Sequence, residues 1–231
     1  MCGRFALKTP VISLRETMHF DNIPPCPVRY NIAPSQEILV VRQVTGRREG
    51  QMMRWGLIPS WTKDPQISHH MINARAESLA DKPAFREAFR HRRCLVPADG
   101  FYEWQSGNVK RRQPFFIQRT DGQVMTLAGI WDPWVAANGQ SILSCSIITI
   151  EANATVGAIH NRMPAILEPS DADRWLDESL CPADLLSLLR PPAVDVLEAY
   201  PVDRQVIKPD EDGSACIQRI EIEPTGKLEL F

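Results

Sequence analysis

The segment EILVVRQVTGRREGQMMRWGL, residues 37–57, decides how the chain is read. Glu37–Gln43 and Gln51–Leu57 have the composition of two strands, and the polar stretch Thr45–Gly50 between them reads as the turn of a hairpin. Other segments follow the same grammar. Cys94–Gln105 (CLVPADGFYEWQ) is extended around a turn at Asp99-Gly100, and a turn at Ser106-Gly107-Asn108 closes it onto Pro114–Arg119. Val124–Trp131 and Ser141–Ile150 are further strands, the second nearly all apolar and so expected at the centre of a sheet.

Helical periodicity appears in Val11–His19, Lys82–Arg93, Ser170–Leu176 and Ala183–Leu189, with a short helix beginning within Thr149–Val156. In Lys82–Arg93, Phe85, Ala88 and Phe89 form the buried stripe, leaving Arg86, Arg90 and Arg93 on another side. Ser170 and Asp173 are spaced as a capping box. Tyr30–Pro34 reads as a compact turn, because Pro34 biases Ala33 away from helix. The expected architecture is a single α+β domain over residues 2–231, with a largely antiparallel, barrel-like curled sheet and flanking helices. Residues from about 208 onward read as a carboxy-terminal tail.

The 231 residues carry a net charge of −2, which argues against a protein that coats nucleic acid over a long footprint. Clustered arginines still leave room for a local basic groove. The six cysteines are scattered with no C-x-x-C pair, so neither a disulfide framework nor a zinc site is expected, and a reducing cytoplasm is the simplest setting. His69-His70 are adjacent and have no ligand-spaced partner, so no metal or other cofactor is expected. No apolar run reaches the ~18 residues of a membrane span.

The most reactive feature stands at the start, Met1-Cys2-Gly3-Arg4. Removal of Met1 leaves Cys2 with an α-amine and a thiol on adjacent carbons. Such an aminothiol captures an aldehyde as an imine, and the thiol then closes a five-membered thiazolidine ring. The α-amine has a pKa of about 7.7–8.0, so roughly a tenth of it is neutral at pH 7, against well under ~0.1% for Lys.

Other polar groups gather along the chain. If Met71–Ser78 is extended, Asn73, Arg75 and Glu77 share one face. Alternation in residues 101–105 puts Phe101, Glu103 and Gln105 on one face, where a carboxylate among aromatic neighbours takes a raised pKa. An extended Ala158–Pro164 would put His160 beside Arg162. Trp55 and Trp61, flanking Gly56 and Pro59, read equally as a stacking platform for bases and as core packing under a loop.

Several segments together resemble the SOS-response-associated peptidase (SRAP) proteins, which process abasic DNA sites. The matching pieces are Cys2-Gly3-Arg4-Phe5, Tyr30-Asn31-x-Ala33-Pro34 and Trp55-Gly56-Leu57-Ile58-Pro59-x-Trp61. They continue with Asn73-Ala74-Arg75-x-Glu77, Arg93-Cys94-Leu95-x-Pro97-x-x-Gly100-Phe101-Tyr102-Glu103-Trp104, and His160-x-Arg162-Met163-Pro164. One departure lies at Asp203 and Val206-Ile207, which puts contacts made by that segment in doubt.

The resemblance implies that Cys2 reacts with the ring-opened aldehyde of an abasic site in single-stranded DNA, lying at the floor of a groove. It implies that Asn73, Glu103 and His160 surround Cys2 and that Arg4, Arg75 and Arg162 hold phosphates; on the reading of the residues themselves, the loop of Trp55 and Trp61 then sits where a neighbouring base stacks. The expected protein is a monomeric, DNA-associated enzyme of lyase and self-crosslinking type. Two alternatives stand beside it: a thiol peptidase, in its narrowest form autoproteolytic, using Cys2 and His160, and a non-covalent binder of damaged or modified bases.

Overall fold

The computed structural model describes residues 2–105 and 112–222. In chain order the first half runs β1 (Phe5–Leu7), α1 (Val11–Met18), β2 (Arg29–Ile32), β3 (Glu37–Val44), β4 (Arg47–Trp55), β5 (Asn73–Arg75) and α2 (Pro83–His91). Next come β6 (Arg93–Ala98), β7 (Gly100–Trp104), β8 (Pro114–Arg119), β9 (Met125–Val135) and β10 (Ser141–Glu151). The remainder is α3 (Ala154–Gly157), β11 (Arg162–Pro164), β12 (Ile166–Leu167), α4 (Pro169–Leu176), α5 (Pro182–Leu188) and β13 (Leu197–Pro201).

The hairpin of residues 37–57 is the first wall of a closed barrel. Its register runs from Glu37 opposite Arg54 to Val44 opposite Arg47. The turn is only Thr45-Gly46, both at positive φ (44° and 81°), the backbone that a tight two-residue hairpin requires. Arg47–Gly50, expected in the turn, instead joins the ladder. That charged stretch hides its strand character, and Gly50 is where the sheet lets the Phe20 ring approach closely. From the hairpin, β3 pairs with β6, β6 with β9 and β9 with β10, all antiparallel. The parallel pairing of β10 with β4, Ser144 beside Arg54 and Cys145 beside Trp55, closes the five-stranded ring. Closure leaves these five strands without an open edge. As its apolar sequence suggests, β10 is central, since it also pairs with β5 and β11.

A second sheet of five strands, ordered β13-β8-β7-β1-β2, lies against the barrel. The chain passes from barrel to sheet across one residue, Asp99, between β6 and β7. Its carboxylate accepts from the Lys8 amide (2.6 Å), the Thr9 amide (2.8 Å) and the Thr9 hydroxyl (2.7 Å), which holds the crossing to the end of β1. The inner face of this sheet joins the main core through Cys2, Phe5 and Phe101. Its outer face carries a second apolar cluster of Ala6, Tyr102, Phe116 and Tyr200, covered by Val202, Val206 and Cys216. Within the expected tail from residue 208, Cys216 is buried and Arg219 bridges back to Val202.

Four local expectations are corrected. Tyr30–Ile32 is strand β2 rather than a turn, because it is paired to β1. The expected strand Met71–Ser78 is only three residues long, since Ala76–Ser78 turns into a 3-10 segment. Helix α4 starts at Pro169, and Ser170 and Asp173 form no capping box; Asp173 instead pairs with Arg48. Arg93, placed by periodicity on the open face of a helix, is 5% exposed and begins β6. Its guanidinium donates to Phe89 O (2.9 Å), Arg90 O, Trp175 O (2.7 Å) and Asp177 O (3.0 Å), satisfying carbonyls at the end of α2. The turn expected at Ser106-Gly107-Asn108 lies outside the described residues, although the pairing of β7 with β8 that it would join is present.

Gly100, first in β7, has no room for a side chain. A Cβ there would lie 2.1 Å from the buried Phe116 ring. Gly100→Ala should lower unfolding stability by ~1–3 kcal/mol, seen as a shifted denaturation midpoint with unchanged slope.

Candidate active site

Cys2 lies three residues before the start of β1, and β1 is hydrogen-bonded to a strand on each side. Phe5 pairs with Ile32 of β2 and with Phe101 of β7. This double pairing draws the start of the chain into the core, and Cys2 has no exposed surface. Asn73, at the start of β5, donates its Nδ2 to the Cys2 carbonyl at 2.8 Å. Strand β5 is itself held in parallel register on β10, Asn73 beside Ile147 and Arg75 beside Thr149. The barrel thus supplies Asn73 and the second sheet supplies Cys2. Among the described residues, the buried Oδ1 of Asn73 has no hydrogen-bond partner.

Glu103 comes from β7, on the same inward face as Phe101, and is 2% exposed. Burial pushes its carboxyl up to about 7. The same burial raises the Cys2 thiol pKa far above the ordinary range, and the neighbouring Glu103 carboxylate raises it further. The two groups are therefore close enough for one charge to act on the other. Near pH 7 the thiol is protonated and the carboxyl is poised between its two forms.

His160 follows α3. Its Nδ1 accepts the Arg162 amide at 3.0 Å, which places the proton of the neutral ring on Nε2; the Arg162 carbonyl is farther from the same nitrogen, at 3.3 Å. Partial burial lowers the His160 pKa, so the neutral ring is favoured. Arg162 is bound bidentately by Glu77, at 2.7 and 3.0 Å, and also donates to Thr149 O at 2.6 Å. Burial is lopsided, with the Arg162 side chain 11% exposed and that of Glu77 56%. Arg75, His160, Asn161 and Arg162 line an open concavity of about 660 Å3 together with Glu151. A larger one, about 890 Å3, lies around Arg47, Arg48, Asp173 and Asp177 and contains none of these groups.

Other expected members are placed differently. Arg4 donates to Asn31 Oδ1 and Val206 O, both at 2.7 Å, with Ile207 O at 3.5 Å, so its guanidinium is turned onto protein acceptors. Trp55 is fully buried, edge-on to Phe5 with ring centroids 5.2 Å apart, and donates to Ile72 O at 2.9 Å. An indole so enclosed cannot stack on a base, and core packing accounts for it. Trp61, by contrast, is 62% exposed. Two polar residues outside the expected site stand out: Asn31, fully buried within the Tyr30–Pro34 motif, and Asp212, whose carboxylate accepts the Tyr30 and Asn31 amides and which no sequence motif marks. Among the described residues no group of three or more His, Cys, Asp or Glu is arranged to hold a metal ion. Nor is any helix among the described residues long and apolar enough to cross a membrane.

Comparison with known proteins agrees with the motifs. The family model described as SOS response associated peptidase (SRAP) matches residues 1–209. The chain is 38% identical over 223 residues to the abasic site processing protein YoqW of Bacillus subtilis (strain 168), covering 94% of this chain and 99% of that one. It is 35% identical over 192 residues to the abasic site processing protein HMCES of Xenopus tropicalis, covering 73% of this chain and 56% of that one. A crystal structure of a protein from Bacteroides thetaiotaomicron superposes with a TM-score of 0.87 at 26% identity, covering 95% of this chain and all of that one. The chain belongs to the SOS response associated peptidase family.

Proposed function

We propose that this protein processes abasic sites in single-stranded DNA by capturing the ring-opened aldehyde on Cys2 once Met1 has been removed. The observation that carries the reading is the seating of Cys2. It is buried, held through its carbonyl by Asn73, and set beside a carboxyl whose pKa is near neutrality. The relatives named abasic site processing proteins support the broader role.

Each group has a task that its environment favours. Protonated Glu103 donates a proton to the sugar ring oxygen as the bond from that oxygen to the anomeric carbon breaks, and the resulting carboxylate takes the proton of the anomeric hydroxyl, leaving the aldehyde. The neutral α-amine adds to the aldehyde carbon, and loss of water leaves an imine. The thiol, held protonated by burial, adds last: its sulfur bonds to the imine carbon and its proton passes to the nitrogen, closing the thiazolidine. Neutral His160, with its proton on Nε2, relays protons between the reacting groups. Arg75 and Arg162 hold the flanking phosphates, and exposed Trp61 offers a face to a base. A basic groove confined to these side chains is compatible with the net charge of −2.

Mixing the protein with single-stranded DNA carrying one abasic site should give a slower band on a denaturing gel, with an intact mass lacking Met1. Cys2→Ala should give none. Equal crosslinking by Cys2→Ala would sink the reading.

The pH dependence follows from two groups. The rate needs Glu103 protonated, which fails above about pH 7, and the amine neutral, which fails below about pH 8. Wild type should therefore show a narrow maximum between these values. Glu103→Gln should react more slowly and lose the alkaline fall, its rate rising to a plateau as the amine deprotonates.

Stability gives an independent readout. A carboxyl with a raised folded pKa favours folding fully below its unfolded value of about 4.5, and that contribution is lost as pH rises through about 7. Between pH 4 and pH 8 wild type should lose up to about 3 kcal/mol relative to Glu103→Gln, measured by denaturant titration.

A further inference from the structure

Asn31 is fully buried, yet no step of the chemistry above uses it. Its Oδ1 accepts from Arg4 at 2.7 Å, and its Nδ2 faces the carbonyls of Glu211 (2.6 Å), Lys208 (3.0 Å) and Val206 (3.1 Å). The backbone of β2 is held from the same side. Asp212 accepts the amides of Tyr30 (2.6 Å) and Asn31 (2.7 Å) on one oxygen and pairs with Arg29 through the other. Val206 O, one acceptor of Asn31, also takes Arg4 at 2.7 Å.

The network then runs to both reacting groups. Arg4 is two residues from Cys2, and its carbonyl accepts the Tyr102 amide at 2.9 Å, one residue before Glu103. The Tyr102 hydroxyl donates to Tyr30 O at 2.6 Å. A three-residue strand near a chain end frays readily unless it is tied down. Here the tie comes from the far end of the chain, partly beyond residue 209, where the family match stops.

We infer that residues 206–212 form a clasp that fixes the position of Cys2, with Asp212 and Asn31 as positioning residues and Arg4 as the tether between them. The inference rests on the reading of Cys2 as the reactive group. Asp212 holds β2, Asn31 carries that constraint to Arg4, and Arg4 sets where the Cys2 amine meets the aldehyde. The role of Asp212 is to raise the rate at which bound DNA reacts. Affinity for DNA lies with other residues.

The test uses the full chain and single-turnover crosslinking to a single-stranded oligonucleotide with one abasic site. Asp212→Ala should lower the maximal rate at saturating DNA by roughly ten-fold or more, with affinity for the undamaged oligonucleotide within about two-fold of wild type. Asp212→Asn, which keeps an acceptor for the two amides, should recover part of the rate. Amide hydrogen exchange of residues 4–7 should quicken in Asp212→Ala while the barrel strands keep their protection. Should Asp212→Ala fail to fold, Asp212→Asn carries both measurements and is expected to fall between wild type and loss. An unchanged maximal rate, or a rate loss matched by lost DNA affinity, overturns the clasp. If wild type forms no covalent product, the proposed chemistry fails, and the exchange measurement still judges the clasp.

Discussion

The backbone ladder that seats Phe5–Leu7 between Arg29–Ile32 and Gly100–Trp104 is the constraint on which the site depends. A terminal strand has little free energy of its own, because three ordered residues make few bonds and bury little surface. With a partner on each side, the strand carries Cys2 into the core and puts Glu103, three positions along its neighbour from Gly100, on the same inward face. Asp99 makes this possible, since it lets one continuous stretch serve the barrel as β6 and the second sheet as β7.

The electrostatic character of the site follows from that placement. Cys2 and Glu103 are pushed toward their neutral forms by loss of water, and His160 is shifted the same way by partial burial. Around Cys2 and Glu103 the protein thus holds weakly ionised groups rather than a buried ion pair. Charge lies instead on Arg75 and Arg162, which line an open concavity, and on Glu77, which pairs with Arg162. The asymmetric burial of that pair leaves the guanidinium fixed by Thr149 O while the carboxylate stays wet.

Much of this was legible from local pattern. Alternation in residues 101–105 placed Glu103 among aromatic neighbours, and desolvation there raises its pKa as expected. The apolar run Ser141–Ile150 turned out to be the strand against which β4, β5, β9 and β11 all pair. What is not legible shares one cause. Arg93 and Arg4, which by residue type suit a surface, and Trp55, which reads equally as a base platform and as core packing, each meet an acceptor distant in sequence: Trp175 O for Arg93, Ile72 O for Trp55 and Val206 O for Arg4. A polar side chain at a core-facing position announces nothing about its partner, because periodicity reports only which face a residue occupies.

By itself, then, the amino-acid sequence determined the element types, the class of fold, the family and the presence of an aminothiol-capable Cys2. These follow from hydrophobic period, turn residues and ordered motifs, all of which are local along the chain. The tertiary structure decided that Cys2 is buried beside Glu103, that β4 and β10 close a ring, and that the segment around Asp212 reaches back to β2. Those outcomes depend on pairing between strands far apart in sequence and on the water that packing removes, and neither quantity is written in any local stretch of residues.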